Sequence, residues 1–307
     1  MDSLRSAKSL VSGVSGPIGA ALMPSLESSG AQITRLMRAG SAVGPATTTE
    51  FIRWDPAKPI IPDAVSGFDA VVHLAGESIV GRWTAAKKAK IRDSRVVGTR
   101  NLAEALAQTK NKPQVFVCSS AIGYYGDRGD EVLNEKSAPG SGFLADVCRE
   151  WERATQPAAD AGIRTVQIRT GVVLSPKGGA LAKMLAPFKL GIGGRVGTGR
   201  QWMSWIDVND MVGAIHHILK TDSLRGPVNM VAPNPVTNVE FTKTLASMLR
   251  RPAIFPVPAL AARLAFGQMA DELLMGSQRV EPAQLLASGY SFRFLDLLAS
   301  LENVLKR

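Results

Sequence analysis

Short apolar runs alternate along the first half of the chain with longer stretches whose apolar residues recur every three or four positions. Runs at 9–12, 31–36, 51–54, 70–74, 114–119 and 164–169 read as strands. Ala70-Val71-Val72 and Val115-Phe116-Val117 are apolar without a break, as strands buried on both faces require. Between them, Ile18, Leu22 and Leu26 fall on one helical stripe, with Gly30 placed to end it. Thr84 is positioned to cap a long helix carrying Ile91, Gly98, Leu102 and Leu106, and Pro113 follows before the next strand. Strands alternating with helices predict an α/β fold, a Rossmann-type doubly wound parallel sheet.

The rhythm changes after Arg169. Residues 171–204 are rich in glycine, from Gly178 to Gly199, and read as a long functional loop with a short helix inside. A strand near 228–231 returns to the sheet, and Thr237-Asn238-Val239-Glu240 is a capping box opening a helix with Phe241, Leu245 and Leu249. From Pro252 the tail is helix-rich. The expected division is a nucleotide-binding domain over 1–170, with 205–232 returning to it. Residues 171–204 and 233–307 then form a smaller substrate lobe.

Composition narrows the function classes. The chain has 307 residues, 45% hydrophobic and 20% charged, as in a soluble globular protein. No apolar run reaches bilayer length, and Gly13, Gly16 and Pro17 interrupt the first apolar stretch, which argues against a signal peptide. Two cysteines, Cys118 and Cys148, and three histidines offer neither a disulfide framework nor a metal site, and point to the cytoplasm. The net charge of +10 is scattered and not interleaved with aromatics, which argues against nucleic acid and for attraction of small anions. The expected partner is a small-molecule substrate, with a homo-oligomer left open.

The first strand and helix enclose Gly13-Val14-Ser15-Gly16-Pro17-Ile18-Gly19. Glycines at this spacing allow a tight turn, close approach of backbone to a pyrophosphate, and packing of helix on strand. The helix N-terminus then offers N–H groups and the positive end of its dipole. A NAD site carries an acidic residue about 20 positions on; here the stretch is Thr34-Arg35-Leu36-Met37-Arg38, without an acid. Arg38 is placed to pair with a 2′-phosphate and Arg35 is a second basic candidate, so the cofactor expected is NADP. Trp54, closing the third strand, completes that end of the expected cofactor site.

Longer strings are more specific. His73-Leu74-Ala75-Gly76-Glu77 resembles the cofactor-lining segment of extended short-chain dehydrogenases, and Ser119-Ser120-Ala121-Ile122-Gly123-Tyr124-Tyr125-Gly126 resembles the strand that brings their catalytic serine. Ser94-Arg95-Val96-Val97-Gly98-Thr99-Arg100, Arg169-Thr170-Gly171-Val172-Val173-Leu174, Gly199-Arg200-Gln201-Trp202-Met203-Ser204-Trp205-Ile206 and Met269-Ala270-Asp271-Glu272-Leu273-Leu274 resemble atypical short-chain proteins of the NAD-dependent epimerase/dehydratase type, with their C-terminal extension. The resemblance implies a nicotinamide near 119–125 and 169–173. Leu74, Ala75, Gly76, Glu77, Ser119, Arg169, Thr170 and Gly171 would then line the cofactor.

Ordinary members of that superfamily carry a tyrosine and, four residues on, a lysine that lowers its pKa. Here Phe143 and Val147, or Leu144 and Cys148, hold those places. The remaining catalytic candidates are Ser119, Ser120, Tyr124 and Tyr125, with packing as the alternative role for the tyrosines. Arg200, Gln201 and Trp202 are the candidate substrate contacts, joining an anion-binding group, an amide and a stacking indole; they equally suit a tie between loop and lobe. Two functions follow: an NADP-dependent oxidoreductase or epimerase-like enzyme on a carbonyl or nucleotide-sugar-like substrate, or a non-catalytic NADP(H) sensor.

Overall fold

The computed structural model describes residues 7–40 and 50–306. Seven strands form the central sheet: β1 (Lys8–Ser12), β2 (Gln32–Arg38), β3 (Glu50–Trp54), β4 (Ala70–His73), β5 (Val115–Ala121), β6 (Arg164–Thr170) and β7 (Gly226–Met230). Their order is β7-β6-β5-β4-β1-β2-β3, with every neighbouring pair parallel. The chain winds outward from β1 to β3, then crosses back to lay β4 on the other side of β1. That reversal opens a crevice at the carboxyl ends of β1 and β4.

The helices that matter are α1 (Pro17–Ser28), α2 (Ala85–Gln108), α3 (Phe143–Arg153), α4 (Gln156–Asp160), α5 (Gly179–Lys189), α6 (Val208–Lys220) and α7 (Asn238–Leu249). Side-chain alternation sorts the sheet into two cores. Val11, Val72, Val117 and Ile168 pack with Leu22 and Leu26 of α1 and Ile215 of α6. Leu10, Val71 and Phe116 pack on the opposite face with Leu102 and Leu106 of α2 and Trp151 of α3. Thr84 caps α2 as expected, accepting from the Lys87 N–H at 3.2 Å, and the Thr237–Glu240 capping box opens α7.

A third core holds Leu181, Leu185 and Phe188 of α5, Trp205, Phe241 and Leu245 of α7, and Leu301 of the C-terminal helix Leu297–Leu305. Residues 171–204 are therefore more ordered than a loop. Val172–Leu174 pairs in parallel with Trp205–Asp207, and α5 runs for 11 residues because its three apolar side chains share one face. β5 also extends beyond the expected residue 119 to Ala121, which places Ser120 opposite Arg169 of β6.

Carboxylates tie the C-terminal tail to the body. Asp207 caps α6 and accepts from Ser300 Oγ at 2.8 Å, while Asp210 accepts from the Arg293 and Phe294 N–H groups, both at 2.9 Å. Glu272 lies in a π-helical turn, Ala270–Leu274, and accepts from the Phe143 and Leu144 N–H groups at 3.0 and 2.8 Å. The capping residue of α3, Gly142, has no side chain to do this, so the tail supplies the acceptor from outside. Among the described residues no helix is long and apolar enough to cross a membrane. Glu272→Ala should lower stability by about 1–2 kcal/mol, the loss of a charged acceptor at a helix start. Urea unfolding followed by circular dichroism measures this, with Glu272→Gln expected to recover part of the loss.

Candidate functional site

At the β1–α1 turn Gly13 has φ +71°, and a Cβ there would fall 2.5 Å from the Leu74 carbonyl carbon and oxygen. Only glycine lets the turn pass so close to the segment leaving β4. A Cβ on Gly19 would lie 2.4 Å from Gly13 O, so the third glycine is needed for helix to meet turn. Gly16 is different. Its N–H donates to Gly13 O at 3.0 Å, and an added Cβ would touch only that oxygen, at 3.4 Å. Its open side adjoins exposed Ser15. Gly16 caps α1 without a side-chain hydrogen bond, Pro17 takes the first turn, and no acidic residue follows. The N–H groups of Ile18 and Gly19 and the helix dipole are thus left to attract an anion.

The corner beside this turn is basic. Arg38 ends β2 and is exposed. Glu77 accepts from Lys87 Nζ at 2.8 Å, and its backbone N–H donates to Ser94 Oγ at 3.0 Å. The Lys87 hydrogen bond, reinforced by the charges of Lys87, Arg38 and Lys90, holds the Glu77 carboxyl below the usual range. Arg35 stands mid-strand opposite Val11 and turns toward Glu27 of α1 at 3.8 Å, away from the carboxyl end where Arg38 lies. Trp54 corrects an expectation. Its indole is 6% exposed and packs in the core against α2 at Gly98 and edge-on to His73, because its strand position points inward. His73 is likewise structural: its Nδ1 lies 2.7 Å from Ser12 Oγ, and burial lowers its pKa to about 4.

At the carboxyl ends of β5 and β6 a buried ion pair organises the candidates. Arg169 donates from Nε and Nη2 to the two oxygens of Glu152 on α3, each at 2.8 Å, and from Nη1 to the Tyr125 hydroxyl at 3.0 Å. Burial alone would push the guanidinium down; the Glu152 carboxylate more than offsets this and holds it above the ordinary arginine value. Ser120 Oγ donates to Glu152 at 2.7 Å, and the Tyr125 hydroxyl donates to Asn229 Oδ1 at 2.8 Å. Glu135 accepts from the Asn229 and Gln284 N–H groups, extending the network to β7 and the tail.

Several of the expected site residues are engaged within the protein here. Tyr125 is fully buried with a phenol pushed up to about 12 by burial, and its hydroxyl is engaged with Arg169 and Asn229. Ser120 is spent on Glu152. Arg169 serves the ion pair, and Gly171 has no room for a Cβ because Ser204 O would lie 2.6 Å away. Thr170, half-buried, donates to Ile168 O. Two candidates keep an uncommitted hydroxyl among the described residues: Ser119, on the α1 side of β5, and Tyr124, whose ring lies 3.5 Å beneath the Arg169 guanidinium. On α3, Cys148 is buried and its thiol is pushed up to about 12 by burial, so it is inert.

The glycine-rich segment divides. Gln201 is buried and donates from Nε2 to Val196 O and Leu274 O at 3.1 and 3.0 Å, tying loop to lobe with both of its amide N–H groups. Arg200 and Trp202 line a cleft of about 420 Å³ with Asp130, Thr237 and Val239. Trp202 donates from Nε1 to Asp130 Oδ1 at 2.8 Å, and Arg279 lies over its ring at 4.5 Å. Asp130, Glu152 and Glu272 escaped the sequence reading because no local spacing marks them.

Residues 9–231 match the model of the NAD dependent epimerase/dehydratase family. The chain belongs to that family. Residues 257–304 match a second model, a domain of unknown function called DUF1731. This epimerase/dehydratase-family chain is 41% identical to an epimerase family protein of Mycobacterium bovis over 92% of each chain. It is 34% identical to the human epimerase family protein SDR39U1, over 96% of this chain and 98% of that one. A crystal structure of the human SDR39U1 (isoform 2) with NADPH has a TM-score of 0.87 at 32% identity, covering 98% of this chain and 99% of that one.

Two stability outcomes follow. Glu152→Gln leaves Arg169 buried without its counter-charge and should cost about 3–5 kcal/mol in urea unfolding. His73 takes a proton at about pH 4 when folded and near 6.5 otherwise, so between these values the unfolded chain binds more protons. Stability should therefore fall as pH drops through that window, by up to about 1 kcal/mol per pH unit. A His73→Asn variant should flatten that part of a stability-versus-pH curve.

Proposed function

We propose that the protein is an NADP(H)-binding oxidoreductase or epimerase-like enzyme acting on a small carbonyl or nucleotide-linked substrate. The observation that carries this reading is the β1–α1 turn: an open Gly16 edge and an uncapped helix start, beside a corner holding Arg38 and no competing acid on β2. Gly13, Ser15, Gly16, Ile18 and Gly19 would hold the pyrophosphate, Leu74 to Glu77 would flank it, and Arg38 would pair with the 2′-phosphate. The NADPH in the human SDR39U1 crystal structure supports the same choice of cofactor. When bound, the cofactor would supply or accept a hydride.

Tyr124 would exchange a proton with substrate. Arg169 fixes its ring and its hydroxyl has no partner among the described residues. Arg200 and Trp202 in the lobe cleft would contact the remote part of the substrate. The two buried cysteines support a cytoplasmic setting. A second reading, a non-catalytic NADP(H) sensor, is supported by Phe143 and Val147 in place of the usual pair and by the engagement of Ser120 and Tyr125 in structure.

Fluorescence titration with NADPH and NADH tests the cofactor. Arg38→Asp should weaken NADPH at least tenfold, about 1.4 kcal/mol, and leave NADH unchanged; equal weakening of both, or no binding by the native protein, would overturn the assignment. Tyr124→Phe should lower kcat with NADPH affinity intact. An unchanged kcat would remove Tyr124 from the chemistry, and retained NADPH binding with no turnover of any screened carbonyl would favour the sensor.

A further inference from the structure

The surplus of positive charge is weighted toward two stretches of the chain. Residues 175–206 carry five lysines and arginines and residues 241–270 carry four, and neither stretch has an aspartate or glutamate. The fold lays parts of them side by side. Residues 191–197 run parallel to 252–257: Gly191 faces the Pro252 ring, Gly194 backs on the Phe255 carbonyl, and Val196 bridges to Val257. The Gly197 N–H donates to Val257 O at 2.9 Å and the Val257 N–H to Arg195 O at 2.8 Å, which fixes the two segments as a ribbon.

This ribbon turns apolar side chains to solvent. Leu190, Ile192, Ile254 and Phe255 are between 64% and 76% exposed. Helix α8 (Ala259–Phe266) begins beside Gly197 and is inverted for a helix in water. It buries Ala262 and leaves Leu260 and Leu264 67% and 69% exposed. At such exposure the six side chains project from the surface and do not line a recess. A cluster of this kind marks a place where another phase or molecule docks. Lys189, Arg195, Arg250 and Arg251 stand exposed next to it in the chain, and none of them forms an ion pair among the described residues. Arg195 donates to the Gly197 and Thr198 carbonyls, both at 2.9 Å. The first acid beyond α8, Asp271, is taken by Arg263 at 2.8 Å.

The charge selects the occupant. A second copy meeting this face across a twofold axis would set arginine against arginine. A folded partner would need a complementary recess, which projecting side chains do not offer. An anionic bilayer suits both features: its headgroup boundary takes up apolar tips, and its surface potential attracts lysine and arginine held above it. No described helix can cross a membrane, so the contact is peripheral. We infer that the Leu190–Ile192 and Ile254–Phe255 ribbon, together with α8, docks the protein on a membrane surface rich in anionic phospholipid. This goes beyond the cofactor-binding reading and does not depend on it.

Co-sedimentation of the full chain with vesicles tests the inference, using pure phosphatidylcholine and an equal mixture of phosphatidylcholine and phosphatidylglycerol. The native protein should bind the mixed vesicles at least tenfold more tightly than the neutral ones. Ile254→Ser with Phe255→Ser should weaken that binding at least tenfold, and so should Lys189→Glu with Arg251→Glu. Both pairs lie on the surface and should melt as the native protein does; Leu260→Ser with Leu264→Ser gives the same comparison if the first pair fails to fold. Native protein that binds neither vesicle overturns the inference, as does unchanged binding by the serine variants. Weakening by the charge reversal alone overturns it too, because it leaves only the adsorption of a basic protein. Dimers in analytical ultracentrifugation that the serine pair abolishes, without vesicle binding, would assign the face to a second copy. Retention on polyglutamate without vesicle binding would assign it to an acidic protein.

Discussion

A guanidinium gripped by both oxygens of one carboxylate, at the carboxyl ends of β5 and β6, governs what the rest of the site can be. Arg169 and Glu152 are buried together, and such a pair is stable only if its remaining hydrogen-bonding capacity is met. Ser120, Tyr125 and, through Tyr125, Asn229 meet it. Two of the groups that sequence alone offers for proton transfer, Ser120 and Tyr125, are thereby engaged in holding strand, helix and tail in register. Tyr124 escapes because it contributes its ring face rather than its hydroxyl.

The opposite side of the crevice follows a different rule. There the chain removes side chains instead of pairing them. Gly13 and Gly19 bring backbone against backbone, and Gly16 leaves a surface uncovered at the start of α1. Positive potential at this edge comes from the helix terminus and from Arg38, with Lys87 and Lys90 close behind on α2. The two halves share one logic: charge is buried where it is paired within the protein, and displayed where it has a ligand to meet.

The strands of the sheet, the cap of α2 and the capping box of α7 were legible in the sequence because each depends on residues within one turn or one strand of each other. The glycine turn and Arg38 were legible for the same reason. Arg169 with Glu152, Ser120 with Glu152, and Tyr125 with Asn229 were not, since they join residues 17, 32 and 104 positions apart. Trp54 was misjudged because the end of a strand specifies position but not which face a side chain takes. The short helix expected within 171–204 is α5, but its extent was obscured by the glycines on either side of the apolar stripe of Leu181, Leu185 and Phe188.

The cap of α3 has a consequence for how the protein is made. The helix that bears Glu152 begins at Phe143, yet the carboxylate completing its first turn lies 129 residues downstream. A chain emerging from the ribosome has its Rossmann strands long before Glu272 appears, and during that interval α3 starts with bare N–H groups. A segment synthesised after every strand of the central sheet thus finishes a helix beside the crevice. A polypeptide cut short before Glu272 would carry an intact glycine turn but an unfinished wall opposite it, so that the shape of this pocket answers to a residue far from its own strands.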